Sequence, residues 1–177
     1  MESRERVPMQ ALFMIYPPFY SEVITEYAEH FDVDPLFVTS VMRQESTFND
    51  RIVSPAGAIG LMQIMPATGR QIARELKERF TVDSLYNYQL NVRFGAYYLR
   101  KRLTQFDEDM VLALSAYNAG AHNVVRWRER NGDKEFDLFV EDIGFFETRG
   151  YVKKVMANYW TYQILAGSPG YVYPPRF

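Results

Sequence analysis

The chain of 177 residues contains no cysteine, which excludes disulfides and thiolate metal sites. Its two histidines, His30 and His122, stand apart, so an imidazole metal site is not expected, and no cofactor is implied. Charge of one sign is also scarce. A formal charge of -2 leaves no basic excess to hold a polyanion, which argues against nucleic acid and suits a neutral polymer better. Long hydrophobic runs are missing as well: Met9 to Phe19 is apolar but broken by Tyr16 and Pro17-Pro18, too short to span a bilayer. The opening Met1-Glu2-Ser3-Arg4-Glu5-Arg6 lacks a basic flank, apolar core and small-residue cleavage site, so no signal peptide is read there. Either the protein is not exported or the chain is a mature or cut-out domain. No linker, repeat period or low-complexity stretch divides the sequence, and one domain over residues 1–177 is expected.

What is present is helical spacing, with 47% hydrophobic and 16% aromatic residues to build a substantial core. No convincing alternation of strands is found, so the fold class is all-α. A first helix is predicted over about 18–30, with Tyr20, Val23, Ile24, Tyr27 and Phe31 on one side. A second runs from Pro35 to Ser46, started by the Asp34-Pro35 pair. Prolines and glycines break the spacing between Asn49 and Met65, giving an irregular connection with at most a small β-ribbon near 52–65. Further helices are predicted from near Pro66, from about Gln89 to Phe106, and through Met110, Ala113, Leu114 and Tyr117 to a stop at Asn118-Ala119-Gly120. A short helix to Gly132 and a long one from about Thr148 to Ala166, ended by Gly167, complete the set, and the tail from Ser168 is irregular.

One acid stands out against this pattern. Glu45 lies three, four and seven residues after Met42, Val41 and Val38, so its carboxyl continues an apolar stripe at the C-terminal end of a helix. Burial and the negative helix pole both disfavour the anion, and a raised pKa is predicted. Such a carboxyl can hold its proton near neutral pH, the condition of a glycosidase general acid. Periodicity alone equally permits a last-turn acid exposed to water.

Three segments recur in a fixed order: Gln44-Glu45-Ser46 with Gly60-Leu61-Met62-Gln63, then Ala116-Tyr117-Asn118-Ala119-Gly120, then Glu147-Thr148-Arg149-Gly150-Tyr151. With Tyr16-Pro17, Asn91 and Gly95-Ala96-Tyr97-Tyr98-Leu99, they resemble the soluble lytic transglycosylases over nearly the whole chain. The resemblance implies a lysozyme-like fold of the goose type and cleavage of the β-1,4 bond between N-acetylmuramic acid and N-acetylglucosamine, giving a 1,6-anhydromuramoyl product. It further implies peptidoglycan strands as partner, a periplasmic or cell-envelope location, and a domain excised from a longer protein. Residue by residue it places the single acid and base on Glu45 and the substrate contacts on Ser54, Met62, Gln63, Tyr117 and Glu147. Asn49-Asp50-Arg51 departs from the Asn-Pro of many relatives.

Each carried-over residue also has a plainer reading. Ser54 before Pro55 shapes turns, Met62 suits a core, and the Gln63 amide could brace its loop as readily as bond a sugar. Tyr117 continues an apolar stripe, and by resemblance its hydroxyl is expected toward Glu45 or the acetamido group. Glu147, at the predicted start of the last helix, could hold Tyr117 or a sugar, cap the helix, or pair with Arg149. Trp127 and Trp160 receive no role in the cleft. Two neighbouring functions remain open: a lysozyme-type hydrolase, which needs a second carboxylate or a positioned water, and a catalytically silent glycan-binding module.

Overall fold

The computed structural model describes residues 9–131 and 136–167. The opening Met1–Arg6 stretch, the Gly132 end of the short helix and the tail from Ser168 lie outside the described residues. Among those described, nine α-helices and one 3-10 turn form an all-helical body without strands: α1 (Met9–Ile15), α2 (Ser21–His30), α3 (Pro35–Ser46), α4 (Pro66–Glu75), the turn Val82–Tyr86, α5 (Tyr88–Gln105), α6 (Met110–Ala119), α7 (Ala121–Asn131), α8 (Phe136–Asp142) and α9 (Phe146–Ala166). None of these helices is long and apolar enough to cross a membrane.

Helix α3 is the axis of the packing. It begins where the sequence places it, because the Asp34 side chain accepts from the Leu36 amide at 2.8 Å and Pro35 fills the first helical position. Val38, Val41 and Met42 are fully buried, and α3 packs most extensively against α9. Each such side chain contributes roughly 1.5–3 kcal/mol through the apolar surface it removes from water. The two helices run antiparallel: Tyr159 of α9 donates to Asp34 Oδ2 at 2.6 Å near one end, and Tyr151 reaches Glu45 at the other. Helix α3 stops at Thr47 and Phe48, consecutive residues with φ of 49° and 63°. The Ser46 hydroxyl accepts from the Phe48 amide at 3.1 Å and so supports this left-handed pair.

The expected loop between α3 and α4 is a minimal ribbon in which Ile59 bridges both Val53 and Ile64. Asn91, fully buried on α5, stitches it down. Its Nδ2 donates to the carbonyls of Ile59 and Leu85 at 2.9 Å each, and its Oδ1 accepts from the Met62 amide at 2.8 Å. Gly60, at φ 78°, passes so close that an added Cβ would sit 2.5 Å from Asn91 Nδ2. Gly95 gives α5 the same intimacy with the Met62 side chain.

Two expectations need correction. The first predicted helix starts at Ser21, not 18, because Tyr20 takes the N-cap position with φ 58° and no capping side chain, breaking continuity with Pro17-Pro18. The apolar stretch after Met9 forms the short helix α1, which periodicity did not mark. It is held by long-range contacts: Arg43 donates to the Ile15 carbonyl at 2.7 Å and lies 4.2 Å over the Tyr16 ring. Tyr16 meets Tyr162 edge-on at 5.3 Å, and the Tyr162 hydroxyl donates to the Pro17 carbonyl at 3.3 Å.

Candidate active site

Three elements meet at the Glu45 carboxyl, the last turn of α3, the C-terminal part of α6 and the first turns of α9, and the Gly60–Gln63 turn joins them through Tyr117. The α6 helix ends at Gly120, φ 86°, whose amide bonds to the Ala116 carbonyl at 3.0 Å. Next to that end, Thr148 Oγ1 donates to Asn118 Oδ1 at 2.7 Å, fixing the start of α9 against α6. Tyr117 and Tyr151 are thereby brought to the same carboxyl, and the charge of Glu45 bears on both phenols.

Tyr151, 6% exposed, donates its hydroxyl to Glu45 Oε1 at 2.7 Å. Tyr117 donates instead to the Met62 carbonyl oxygen at 2.8 Å, tying α6 to the ribbon. Burial pushes the Glu45 carboxyl up to about 7 from its ordinary 4.5, while the Tyr151 hydrogen bond, which favours the anion, opposes the rise. Burial is the larger effect. Both phenols are pushed well above 10, by burial first and then by the Glu45 charge, so they remain hydrogen-bond donors at neutral pH. Among the described residues no other carboxyl contributes to the Glu45 shift. The arrangement is one protonatable acid held by one neutral donor, Tyr151, able to give a proton near pH 7 and take one back.

The other residues read from the sequence surround this centre in different ways. Ser54 Oγ accepts from the Ala58 amide at 3.0 Å and shapes the ribbon turn. Gln63, at φ 47°, donates its side-chain nitrogen to the carbonyls of Gly60 at 2.9 Å and Ile52 at 3.3 Å, bracing the loop. The Met62 side chain is fully buried against Gly95, as its core reading expected, and its main-chain carbonyl is the anchor of Tyr117. The Tyr117 hydroxyl, expected toward Glu45 or the acetamido group, donates to that carbonyl while the Glu45 charge bears on it. Glu147 is exposed in the first turn of α9, and Arg149 does not pair with it but turns to Glu141 at 3.7 Å and to the Ile143 carbonyl at 3.0 Å. Tyr151 carried no assigned role in the sequence. Its signal was a tyrosine inside the buried Val152–Val155–Tyr159 stripe, because a buried phenol needs a partner for its hydroxyl.

Known proteins resemble this chain in sequence and in shape. A soluble lytic murein transglycosylase from Salmonella typhimurium is 35% identical over 145 residues, which cover 80% of this chain and 22% of that protein. A transglycosylase of the bacteriophage PRD1 is 31% identical, covering 87% of this chain and 47% of its own length. The crystal structure of the 70 kDa soluble lytic transglycosylase from Escherichia coli superposes with a TM-score of 0.84 at 32% identity, over 89% of this chain and 26% of that one. A lytic transglycosylase from Pseudomonas aeruginosa, in an inactive glutamate-to-glutamine form, gives a TM-score of 0.82 at 30% identity, over 93% and 27%. The chain thus spans about a quarter of the length of these soluble bacterial relatives. The family model described as the transglycosylase SLT domain matches residues 22–140, and the chain belongs to that family.

Proposed function

We propose that this domain is a peptidoglycan lytic transglycosylase, acting on glycan strands in the cell envelope and cleaving the β-1,4 bond between N-acetylmuramic acid and N-acetylglucosamine. The observation that carries the reading is the Glu45 carboxyl, raised to about 7, braced by Tyr151 and without a second carboxyl acting on it among the described residues. Support comes also from relatives named lytic murein transglycosylases and from the inactive relative in which a glutamate is exchanged for glutamine.

Most glycosidases flank the scissile bond with two carboxylates roughly 5 to 10 Å apart, one of which stabilises or captures the sugar cation. With one acid, the substrate supplies the second group. Glu45 donates its proton to the glycosidic oxygen as that bond breaks, and the N-acetyl oxygen of the muramoyl residue closes onto the anomeric carbon. Glu45, now a carboxylate, removes the proton of the C6 hydroxyl as that oxygen attacks the same carbon and expels the acetamido oxygen. The product is the 1,6-anhydro sugar, no water is consumed, and Glu45 recovers its proton. Each acid or base step contributes about 100- to 10,000-fold. In this scheme Tyr151 orients Glu45 and stabilises its anionic interval, while Tyr117, Gln63 and Ser54 hold the wall that receives the acetamido group.

Mass spectrometry of products from purified sacculi tests the reading. The muropeptide is expected to be lighter by one water than the hydrolysis product. A product of hydrolysis mass would assign a lysozyme-type reaction, and no product would assign a binding module. A second expectation concerns pH. Because the Tyr151 hydrogen bond favours the anion, Tyr151→Phe should raise the Glu45 pKa above about 7 and move the alkaline limb of kcat/KM to higher pH, together with a lower maximum. An unmoved limb, or one displaced downward, would contradict Tyr151 as the partner of the acid.

A further inference from the structure

A cavity of about 400 Å³ opens between the segment entering α2 and the start of α5, walled by Phe19, Tyr20, Tyr88 and the first turn of α2. Its rings are available: Phe19 is 56% and Tyr88 37% exposed. Phe19 stands edge-on to Phe48 at 5.6 Å, and Tyr20 packs on Tyr88 at 5.5 Å. Phe48 lies three residues past Glu45, so the cavity adjoins the chain leaving the acid-bearing helix.

The polar groups here are mixed and incompletely used. Tyr20 takes the N-cap position of α2 in a left-handed conformation, and no side chain caps the helix, so its first-turn amides keep donors available at the wall. Glu22 supplies an exposed carboxylate. Asp50 lies near enough for its charge to raise the Tyr20 phenol, second to burial. No lysine or arginine lines the cavity.

We infer that this cavity is an accessory saccharide subsite, which binds a pyranose of the glycan strand by stacking on Phe19 and Tyr88 and by hydrogen bonds to Glu22 and the uncapped α2 turn. Ring faces, carboxylate acceptors and backbone donors together match the apolar face and hydroxyl rim of a neutral sugar. An anion would meet Glu22 and Asp50, and a cation would meet two helix N-termini, those of α2 and α5. The volume falls within the usual range for a small ligand site. The backbone strain at Tyr20 and Phe48 sets these rings around the opening. The inference rests on the proposed glycan substrate and deepens it: a strand would be gripped away from the scissile bond.

The test uses the 177-residue chain with Glu45→Gln, a change expected to suppress turnover, titrated with the N-acetylglucosamine tetramer while the ring resonances of Phe19 and Tyr88 are followed by NMR. Saturable shifts of both rings are expected, with about tenfold weaker binding at these rings in Tyr88→Ala and Phe19→Ala. Glu22→Gln, an exposed change that leaves the packing alone, should weaken the same signal about threefold and serves if a ring variant fails to fold. In the active background, Tyr88→Ala should lower kcat/KM on long strands and leave it unchanged on the shortest cleavable fragment, with the product mass unaltered. Absent ring shifts, or shifts caused by butylammonium or phosphate and not by the sugar, would overturn the subsite. A failure to form anhydro product would overturn the reaction instead, whatever the rings report.

Discussion

Glu45→Gln is expected to lower turnover on glycan strands by about 1,000-fold or more, since it removes both the proton donor and the later base. The same change should stabilise the fold above neutral pH. The carboxyl ionises at about 7 when folded and at an ordinary 4.5 when unfolded. Between those values the unfolded chain gives up a proton that the folded chain keeps, so ionisation favours unfolding and stability falls as pH rises through the window. Below the window the acid costs nothing; above it the full difference applies. At about 1.4 kcal/mol per pH unit, the burden approaches about 3 kcal/mol by pH 8. Glutamine is neutral throughout and can still accept from Tyr151. Thermal or urea melts of both proteins at pH 5 and pH 8 check this: the variant should gain little at the lower pH and about 2–3 kcal/mol at the higher. A gain independent of pH, or near-normal turnover, would remove Glu45 from the centre of the reaction.

Replacing Asn91 should have the largest effect on stability among single substitutions near the site. One amide satisfies the carbonyls of Ile59 and Leu85 and the amide of Met62, all in the interior. Leucine leaves the Leu85 carbonyl and the Met62 amide unpaired and the Ile59 carbonyl with only its Ile64 amide, at roughly 1–3 kcal/mol for each unpaired group, so a loss of about 2–6 kcal/mol is expected. The damage does not stay local. Met62 presents the carbonyl that anchors Tyr117, so loosening the ribbon also loosens the wall beside Glu45. Asn91→Asp retains an acceptor for the Met62 amide but sets a buried carboxyl against the two carbonyl oxygens, and should be at least as destabilising as leucine. Urea denaturation measures all three, and a loss below about 1 kcal/mol for leucine would mean that water or a shifted backbone replaces the amide.

The parts legible from sequence were those fixed by local chemistry. Asp34-Pro35 marks the start of α3 because cap and first-turn proline act within a few residues, and the Glu45 environment could be read because Val38, Val41 and Met42 share its face. The short helices α1 and α8 escaped notice, since seven residues offer too little periodicity and α1 is secured by Arg43, 28 residues away. The partner of the acid was hidden for a related reason. Tyr151 reaches Glu45 across 106 residues, through the antiparallel pairing of α3 and α9. Conversely, Ser54 and Gln63 could be suspected of bracing their own loop, because turn residues find backbone partners nearby.

The tether made by Arg43, Tyr16 and Tyr162 bears on where this unit can be cut. The family match begins at residue 22, yet residues 15–17 are bonded to the helix bearing the acid and to the last helix. A recombinant version trimmed to the match would strip a guanidinium of its carbonyl and its aromatic roof two positions before Glu45, and remove the Pro17 carbonyl to which the Tyr162 hydroxyl donates. Boundaries drawn by aligning sequences would then pass through the interior of a cooperative unit, and expression plasmids should begin no later than residue 9.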